Sequence, residues 1–253
     1  MAVNDIYDLI DRIAPFDTQL PFDNAGLLIG SKDKEVTRIG ICLDITNEAI
    51  EFAIQNNIDL IVAHHPVIFD AIKSLEADTP VFNLIKHDIS AICAHTNLDA
   101  AKNGVNQALA ERLGLSEIIP IYDEEFKGFP PIARMGRLCR KMNSKELCGY
   151  ISEKLGTQGV RVNDTGKEHE YIIVFGGAGN DFIKQAKELG ADALITSEIK
   201  QHQWLIANEI DMTVFDAGHY HTENVIVKPL CEFLTECGVD ATIIPQNAPY
   251  TVY

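Results

Sequence analysis

The sequence contains no Cys-x-x-Cys. Its six cysteines, at 42, 93, 139, 148, 231 and 237, are scattered, so a thiolate zinc site is not indicated. Cys42 and Cys93 fall inside strand-like runs, where a cysteine is a small buried hydrophobe. Basic residues are also scarce. Lys and Arg total 21 against 37 Asp and Glu, a net charge of −16 at pH 7. A general binder of the nucleic-acid backbone needs the opposite balance, so general nucleic-acid binding is not expected. No apolar run is long enough to cross a bilayer, so no membrane association is expected. The start, "MAVNDIYDLIDRIAPFD", is acidic and amphipathic, without the basic opening and small-residue cleavage site of a secretory signal. The expected location is the cytoplasm.

What is present is a globular composition, 46% hydrophobic and 23% charged over 253 residues, enough for one large domain or two small ones. Short apolar runs alternate with helical patterns. The runs are 38–44, 59–63, 89–94, 171–175, 192–196 and 212–217, and the amphipathic stretches are 47–56, 104–113, 180–189, 199–208 and 225–236. This predicts an α/β fold of mostly parallel strands with flanking helices. A charge-, Gly- and Pro-rich stretch from 121 divides the chain into a first half, 1–120, and a second half, 121–253, whose C-terminal segment can pack back on the first.

The halves resemble each other. "ICLDITNEAIEFAIQNNIDLIVAHHPVIF" (41–69) aligns with "VFGGAGNDFIKQAKELGADALITSEIKQH" (174–202), with Asp59 opposite Asp192 and His64-His65 opposite Ser197-Glu198. "DISAICAHTNLDAA" (88–101) aligns with "DMTVFDAGHYHTEN" (211–224), and this reading pairs His95 with His219 and Asp99 with Glu223. We read an internal duplication. The alternative, that all parallel α/β units look alike, does not require a His followed four residues later by a carboxylate in both halves.

The polar residues of these motifs all follow predicted strands, the edge where open α/β sheets bind ligands. Five of the eight histidines (64, 65, 95, 219 and 221) lie in three of the motifs, and His202 lies in a fourth strand-end segment. Neutral imidazole together with carboxylate suits zinc, iron, manganese or cobalt. Adjacent residues of an extended strand point to opposite sides, so His64 and His65 are not expected to chelate one ion as a simple strand pair; at a strand end, followed by Pro66, they can instead reach two different ions. A helix starting near Gly218 would put His219 and Glu223 on one face. His221 competes with His219, but a His221–Glu223 pair would point apart on a helix. Asp99 has two oxygens and can bridge two ions. His87 and His169 stand in polar surroundings and are expected at the surface. "FGGAG" (175–179) reads as a tight turn in preference to a phosphate cradle. Asp23 or Asn24 can cap or contact the site. In "SEIKQHQW" (197–204) a helix-capping role for Ser197 competes with an acid/base role for Glu198.

The motifs "DNAGLLIG", "AHHPVIF", "AHTNLDAAKNGVNQALAERLGL", "GGAG", "DALITSEIKQHQ" and "DAGHYHTE" occur in this order over nearly the whole chain. Together they resemble the NGG-one-interacting-factor-three-like family, also known as GTP cyclohydrolase I type 2 homologues. The resemblance implies a two-domain α/β fold, a ring-shaped homohexamer and a centre of two divalent metal ions held by His64, His65, Asp99, His219 and Glu223. It places His95 beside the site. The sequence departs in two places: Asp-Asn-Ala-Gly stands for Asp-Asn-Val-Gly, and Thr-Ser-Glu for Thr-Gly-Asp or Thr-Gly-Glu, which puts the loop shape at Ser197 in question. The short 116–131 connection leaves no room for an inserted domain. The function so implied is a metal-dependent hydrolase with His95 or Glu198 moving protons, acting on GTP, a phosphoester or another small molecule. Few basic groups stand near the motifs to read a triphosphate, Lys102 and Lys200 excepted. The alternative is a non-enzymatic metal-binding, metal-delivery or adaptor protein.

Overall fold

The computed structural model describes residues 1–252 and divides into two units. The first comprises Met1–Leu98 and Ile226–Asn247, the second Asp99–Val225 and Ala248–Tyr253. The chain therefore changes unit after Leu98, and not near 120 as the sequence division has it. The reason is packing. Leu109, Leu113 and Leu115 are buried in the same apolar cluster as Leu138, Ile172 and Phe215 of the second unit.

The first unit opens with α1 (Val3–Ile13), then β1 (Gly26–Ile29), β2 (Arg38–Cys42), α2 (Asn47–Gln55), β3 (Leu60–Ala63), α3 (Pro80–Lys86) and β4 (Ser90–Cys93). β3 and β4 are buried throughout and β2 at all but Arg38, so these strands read as unbroken apolar runs. β2, β3 and β4 run parallel, and β1 closes the β4 side antiparallel. Thr46 starts α2 by accepting the Ala49 N–H on its hydroxyl at 3.1 Å. α4 (Thr96–Ala100) carries the chain out of this unit.

The second unit contains α5 (Val105–Arg112), β5 (Ser116–Ile121), β6 (Ala133–Asn143), α6 (Ser144–Leu155), β7 (Arg161–Val162), β8 (Glu168–Val174), α7 (Ile183–Glu188), β9 (Ala193–Thr196), α8 (Gln201–Glu209), β10 (Thr213–Asp216) and α9 (His219–Glu223). The sheet order is β5-β6-β8-β9-β10-β7. β8, β9 and β10 are parallel, while β5, β6 and β7 pair antiparallel. The parallel strands are those the alternating pattern marks, and β5, β6 and β7 extend the sheet antiparallel on both sides. The chain then returns to the first unit with α10 (Val227–Glu236) and β11 (Asp240–Ile243), the latter parallel to β2.

The duplication is visible in backbone detail. The Asp59 carboxylate accepts the N–H groups of Thr37 and Arg38 at 2.8 and 3.3 Å. The Asp192 carboxylate accepts those of Glu170 and Tyr171, both at 2.9 Å. Every residue here is shifted by the same interval, the one that takes Asp59 to Asp192. Left-handed backbone recurs likewise, at Asn57 and Gly190, and at Asp88 and Asp211. The second interval, Asp88 to Asp211, also takes Ala94 to Ala217, each of which donates its N–H to the last residue of the neighbouring strand, Ala63 or Thr196. It brings His95 to Gly218, not His219. The pairing of the two histidines therefore requires one extra residue in the second unit, at the left-handed Gly218 (φ 84°) that precedes α9.

Candidate metal centre

In the first unit the chain bends at His64 and His65, immediately beyond β3, and each is pinned by its own N–H to the neighbouring strand end, on Cys42 at 3.3 Å and Leu43 at 3.0 Å. The bend ends the strand alternation, so the two rings are not on opposite sides. Their centroids are 4.9 Å apart, and the His95 ring lies 5.2 and 5.6 Å from them. One donor atom from each of the three falls within 4.8 Å of the others, a spacing that can hold a metal ion.

What fixes these rings is as informative as where they are. His64 Nδ1 lies 2.9 Å from the carbonyl oxygen of Ala94. His65 Nδ1 lies 2.7 Å from the Asp44 carboxylate, and His95 Nδ1 lies 2.7 Å from that of Asp23. Carbonyls and ionised carboxylates only accept, so each Nδ1 carries the proton and each Nε2 presents a lone pair. This is how metal-ligating histidines are normally held. Asp23 is well made for the task. Its side chain has 0% exposure, and it also accepts the Thr96 N–H at 2.9 Å and the Thr96 hydroxyl at 2.5 Å. Burial alone would raise its pKa. The hydrogen bond from His95, its charge when the ring is protonated, and the two Thr96 bonds outweigh burial and lower it to about 2.

In the second unit His219 and Glu223 form the ends of the short α9. His219 Nδ1 donates to Glu198 Oε1 at 2.8 Å, and its Nε2 stands 2.8 Å from Glu223 Oε2. With the proton on Nδ1, a nitrogen lone pair and a carboxylate oxygen face each other at Nε2, and a cation or a further proton resolves that repulsion. The Glu223 side chain is 4% exposed. It reaches this position because residue 177 is glycine, in left-handed backbone (φ 65°) where a Cβ would collide with the Glu223 carboxylate.

The glycine-rich turn is therefore a seat for Glu223. It is not a phosphate cradle, since its glycine N–H groups are taken: Gly176 donates to Asn106 Oδ1 at 2.7 Å, Gly177 to Thr222 Oγ1 at 3.0 Å and Gly179 to Thr196 Oγ1 at 2.9 Å. Ser197 does not distort the loop. Left-handed backbone falls on Glu198 (φ 57°), and the buried Ser197 hydroxyl donates to the Gly177 carbonyl at 2.6 Å. Asp99 is half-buried on α4, with its carbonyl accepting from Asn106 Nδ2 at 3.2 Å. His221 packs its ring edge-on to Tyr250, with centroids 6.4 Å apart, and burial lowers its pKa. His202 and His87 are exposed. His169 is not at the surface: it is fully buried on the inward face of β8, its Nε2 3.0 Å from the Ser144 hydroxyl.

Asp44 and Asn106 were not singled out in the sequence. Asp44 carries a weak signal, a carboxylate directly after an apolar strand. Asn106 carries none, since it stands in an ordinary amphipathic helix.

The donor set suits zinc, iron, manganese or cobalt, and the tethered imidazoles fit such an ion. Comparison with known proteins agrees in scale. A "GTP cyclohydrolase 1 type 2 homolog" from Clostridium perfringens is 33% identical over 241 residues, covering 93% of this chain and 92% of that protein. A hypothetical protein of Staphylococcus aureus superposes with a TM-score of 0.90 at 28% identity, over 100% of this chain and 99% of the other. Reduced HcgD from Methanocaldococcus jannaschii gives 0.84 at 30% identity, over 97% and 98%. The Duf34/NIF3 (NGG1p interacting factor 3) family model matches residues 1–249, and the chain belongs to that family.

Proposed function

We propose that this chain binds two divalent metal ions through His64, His65, Asp99, His219 and Glu223 and acts as a metal-dependent hydrolase. The observation that carries the reading is the tethering of His64, His65, His95 and His219, each through Nδ1 to an acceptor-only group. A histidine that merely fills a core has no need of that uniform orientation. Bound divalent metal supplies Lewis-acid polarisation of a substrate oxygen and a nucleophile at neutral pH. The chain's own groups do the rest. Asp44 and Glu198 orient His65 and His219 by their Nδ1 atoms. His95 takes or returns a proton at Nε2 while Asp23 holds its Nδ1–H, the division of labour found in His–Asp pairs. Glu198 is exposed enough to exchange protons with solvent, but its bond to His219 favours the orienting role. The name of the relatives makes GTP one candidate substrate among phosphoesters and other small hydrolysable molecules.

The test is metal per chain, measured by plasma mass spectrometry on protein purified without chelator and after reconstitution with zinc, manganese or iron. About two equivalents, lost in a His65→Ala/Asp99→Ala double variant, support the centre; wild-type protein that holds none sinks it. If metal is present and no hydrolysis follows in a screen of GTP and phosphoesters, the delivery or adaptor reading takes the place of the hydrolase. The homohexamer is a proposal of the same kind, and light scattering would show six times the 28.0 kDa chain mass.

A further inference from the structure

Behind Asp99 lies a buried polar joint. Asn106 has 0% exposure. Its Nδ2 donates to the Asp99 carbonyl at 3.2 Å and to the Ile132 carbonyl at 2.7 Å, and its Oδ1 accepts the Gly176 N–H at 2.7 Å. One amide therefore ties together the backbone of Asp99, the start of β6 and the turn that seats Glu223. Beside it Arg134 is 3% exposed. Its Nη2 donates to the carbonyls of Ala100 and Ala101 at 3.2 and 2.8 Å, the two residues that follow Asp99. Its Nη1 donates to Pro131 and Ala133 at 3.0 and 2.9 Å, and its Nε to the Gln107 side chain at 3.3 Å. All of these acceptors are neutral.

A buried cation met only by neutral acceptors is a costly thing to build into a fold. An apolar side chain of similar volume would fill the space more cheaply, so packing alone does not account for it. What the guanidinium does do is hold the last turn of α4. That helix has five residues, Thr96–Ala100, too few to hold its own position by internal hydrogen bonds.

We propose that Asn106 and Arg134 are positioning residues that set the spacing of the Asp99 and Glu223 carboxylates for metal. The inference rests on the reading of those two carboxylates as ligands. Asn106 fixes Asp99 directly and Glu223 through Gly176 and Gly177. Arg134 fixes Asp99 from the other side, through Ala100 and Ala101. A pair that served the fold alone would change the melting temperature and leave the metal affinity of the folded chain unchanged.

Zinc affinity measured by competition with a chromophoric chelator, together with apo-protein melting, separates the two roles. Asn106→Leu and Arg134→Met are expected to bind zinc about 10–100-fold more weakly than wild type at a temperature where both are folded. Arg134→Lys, which keeps the charge with fewer donors, should fall between. Leu147→Ala, in the apolar cluster of the same unit, should melt lower with zinc affinity unchanged. If Asn106→Leu does not fold, Asn106→Ser and Arg134→Lys decide by the same titration. Polar-joint variants that bind zinc as wild type does, or lose affinity only as Leu147→Ala does, overturn the inference. Wild-type protein that takes up no zinc overturns the reading beneath it as well, and the two failures are distinguishable in the one data set.

Discussion

Asp44 and Gly177 occupy the same step of the two repeats, just beyond the first parallel strand of each unit. In the first unit the aspartate reaches His65 Nδ1 at 2.7 Å. In the second the side chain is gone, and the space it vacates admits the Glu223 carboxylate. The N–H groups beside them are satisfied by different means. Leu43 and Asp44 donate to Gln246 Oε1 at 2.9 and 3.2 Å, while Gly176 donates to Asn106 Oδ1 and Gly177 to Thr222. His65 and Glu198 are likewise equivalent in position and opposite in role: the one is a histidine held by a carboxylate, the other a carboxylate holding a histidine. The strand scaffold and its turns are common to both units. Apart from the extra residue at Gly218, the chemistry differs through the few side chains set on the strand ends.

Exchanging the two residues breaks this comparison most severely. Gly177→Asp places a side chain on left-handed backbone, at about 1–2 kcal/mol for most residues, and drives it into Glu223. Metal binding should fall by well over the roughly 10–100-fold expected for an orienting residue, with a lower melting temperature. The converse, Asp44→Gly, removes only the acceptor on His65 from a side chain that is 44% exposed. Metal affinity should fall about 10–100-fold with melting nearly unchanged. If Gly177→Asp retains wild-type metal content, Glu223 is not seated as described.

The paired aspartates sharpen the comparison on the side of stability. Asp59→Ala and Asp192→Ala each leave two backbone N–H groups without their acceptor. Each is expected to lose about 1.5–3 kcal/mol in urea unfolding. Hydrogen bonds from Thr37 and Arg38, aided by the charge of Lys34, lower the Asp59 pKa against the opposing effect of burial. Its contribution is therefore present above the ordinary aspartate value near 3.9 and lost as pH falls through the lower folded value. A near-neutral result for either variant would show that the two carboxylates are not equivalent supports.

Much of this was legible in the sequence. Unbroken apolar runs located the buried parallel strands, and the clustering of histidines after them located the strand-end edge. The rest depended on neighbours distant along the chain. Asp23 meets His95 and Asn106 meets Gly176 across long separations that no local pattern encodes. Strands β5, β7 and β11 were missed because β7 has two residues and β5 and β11 are mostly unburied, without an unbroken apolar run. The bend at His64 and His65 suspends the strand rule of alternation, and only the folded chain shows how close the two rings lie. The His95–His219 pairing missed the extra residue at Gly218, which a motif comparison absorbs without notice.

His169 is the smallest and cleanest test. The shift that takes Asp59 to Asp192 takes Val36 to His169, so the first repeat places an apolar side chain where the second buries an imidazole. Ser144 donates to Asp164 at 2.7 Å, and its oxygen faces His169 Nε2 at 3.0 Å. Burial lowers the His169 pKa; the Asp192 carbonyl and the charges of Asp192 and Asp164 act against it, and the Lys167 charge acts with it. The fold therefore favours the neutral ring. The unfolded chain takes up a proton near pH 6.5, the folded chain only at lower pH, so stability falls as pH drops through that window and levels off below the folded value. His169→Val should remove the His169 share of this slope and leave that of His221, whose pKa burial also lowers. It should also lose about 1–3 kcal/mol at pH 8, where the hydrogen bond to Ser144 and the packing of the buried ring against Phe215 are missing. The comparison is made in urea between pH 8 and 5, above the range where Asp59 and Asp164 take up protons. An unchanged slope in the variant would mean that His169 is protonated in the folded chain as readily as in the unfolded one, and that the second repeat bears no penalty for its buried histidine.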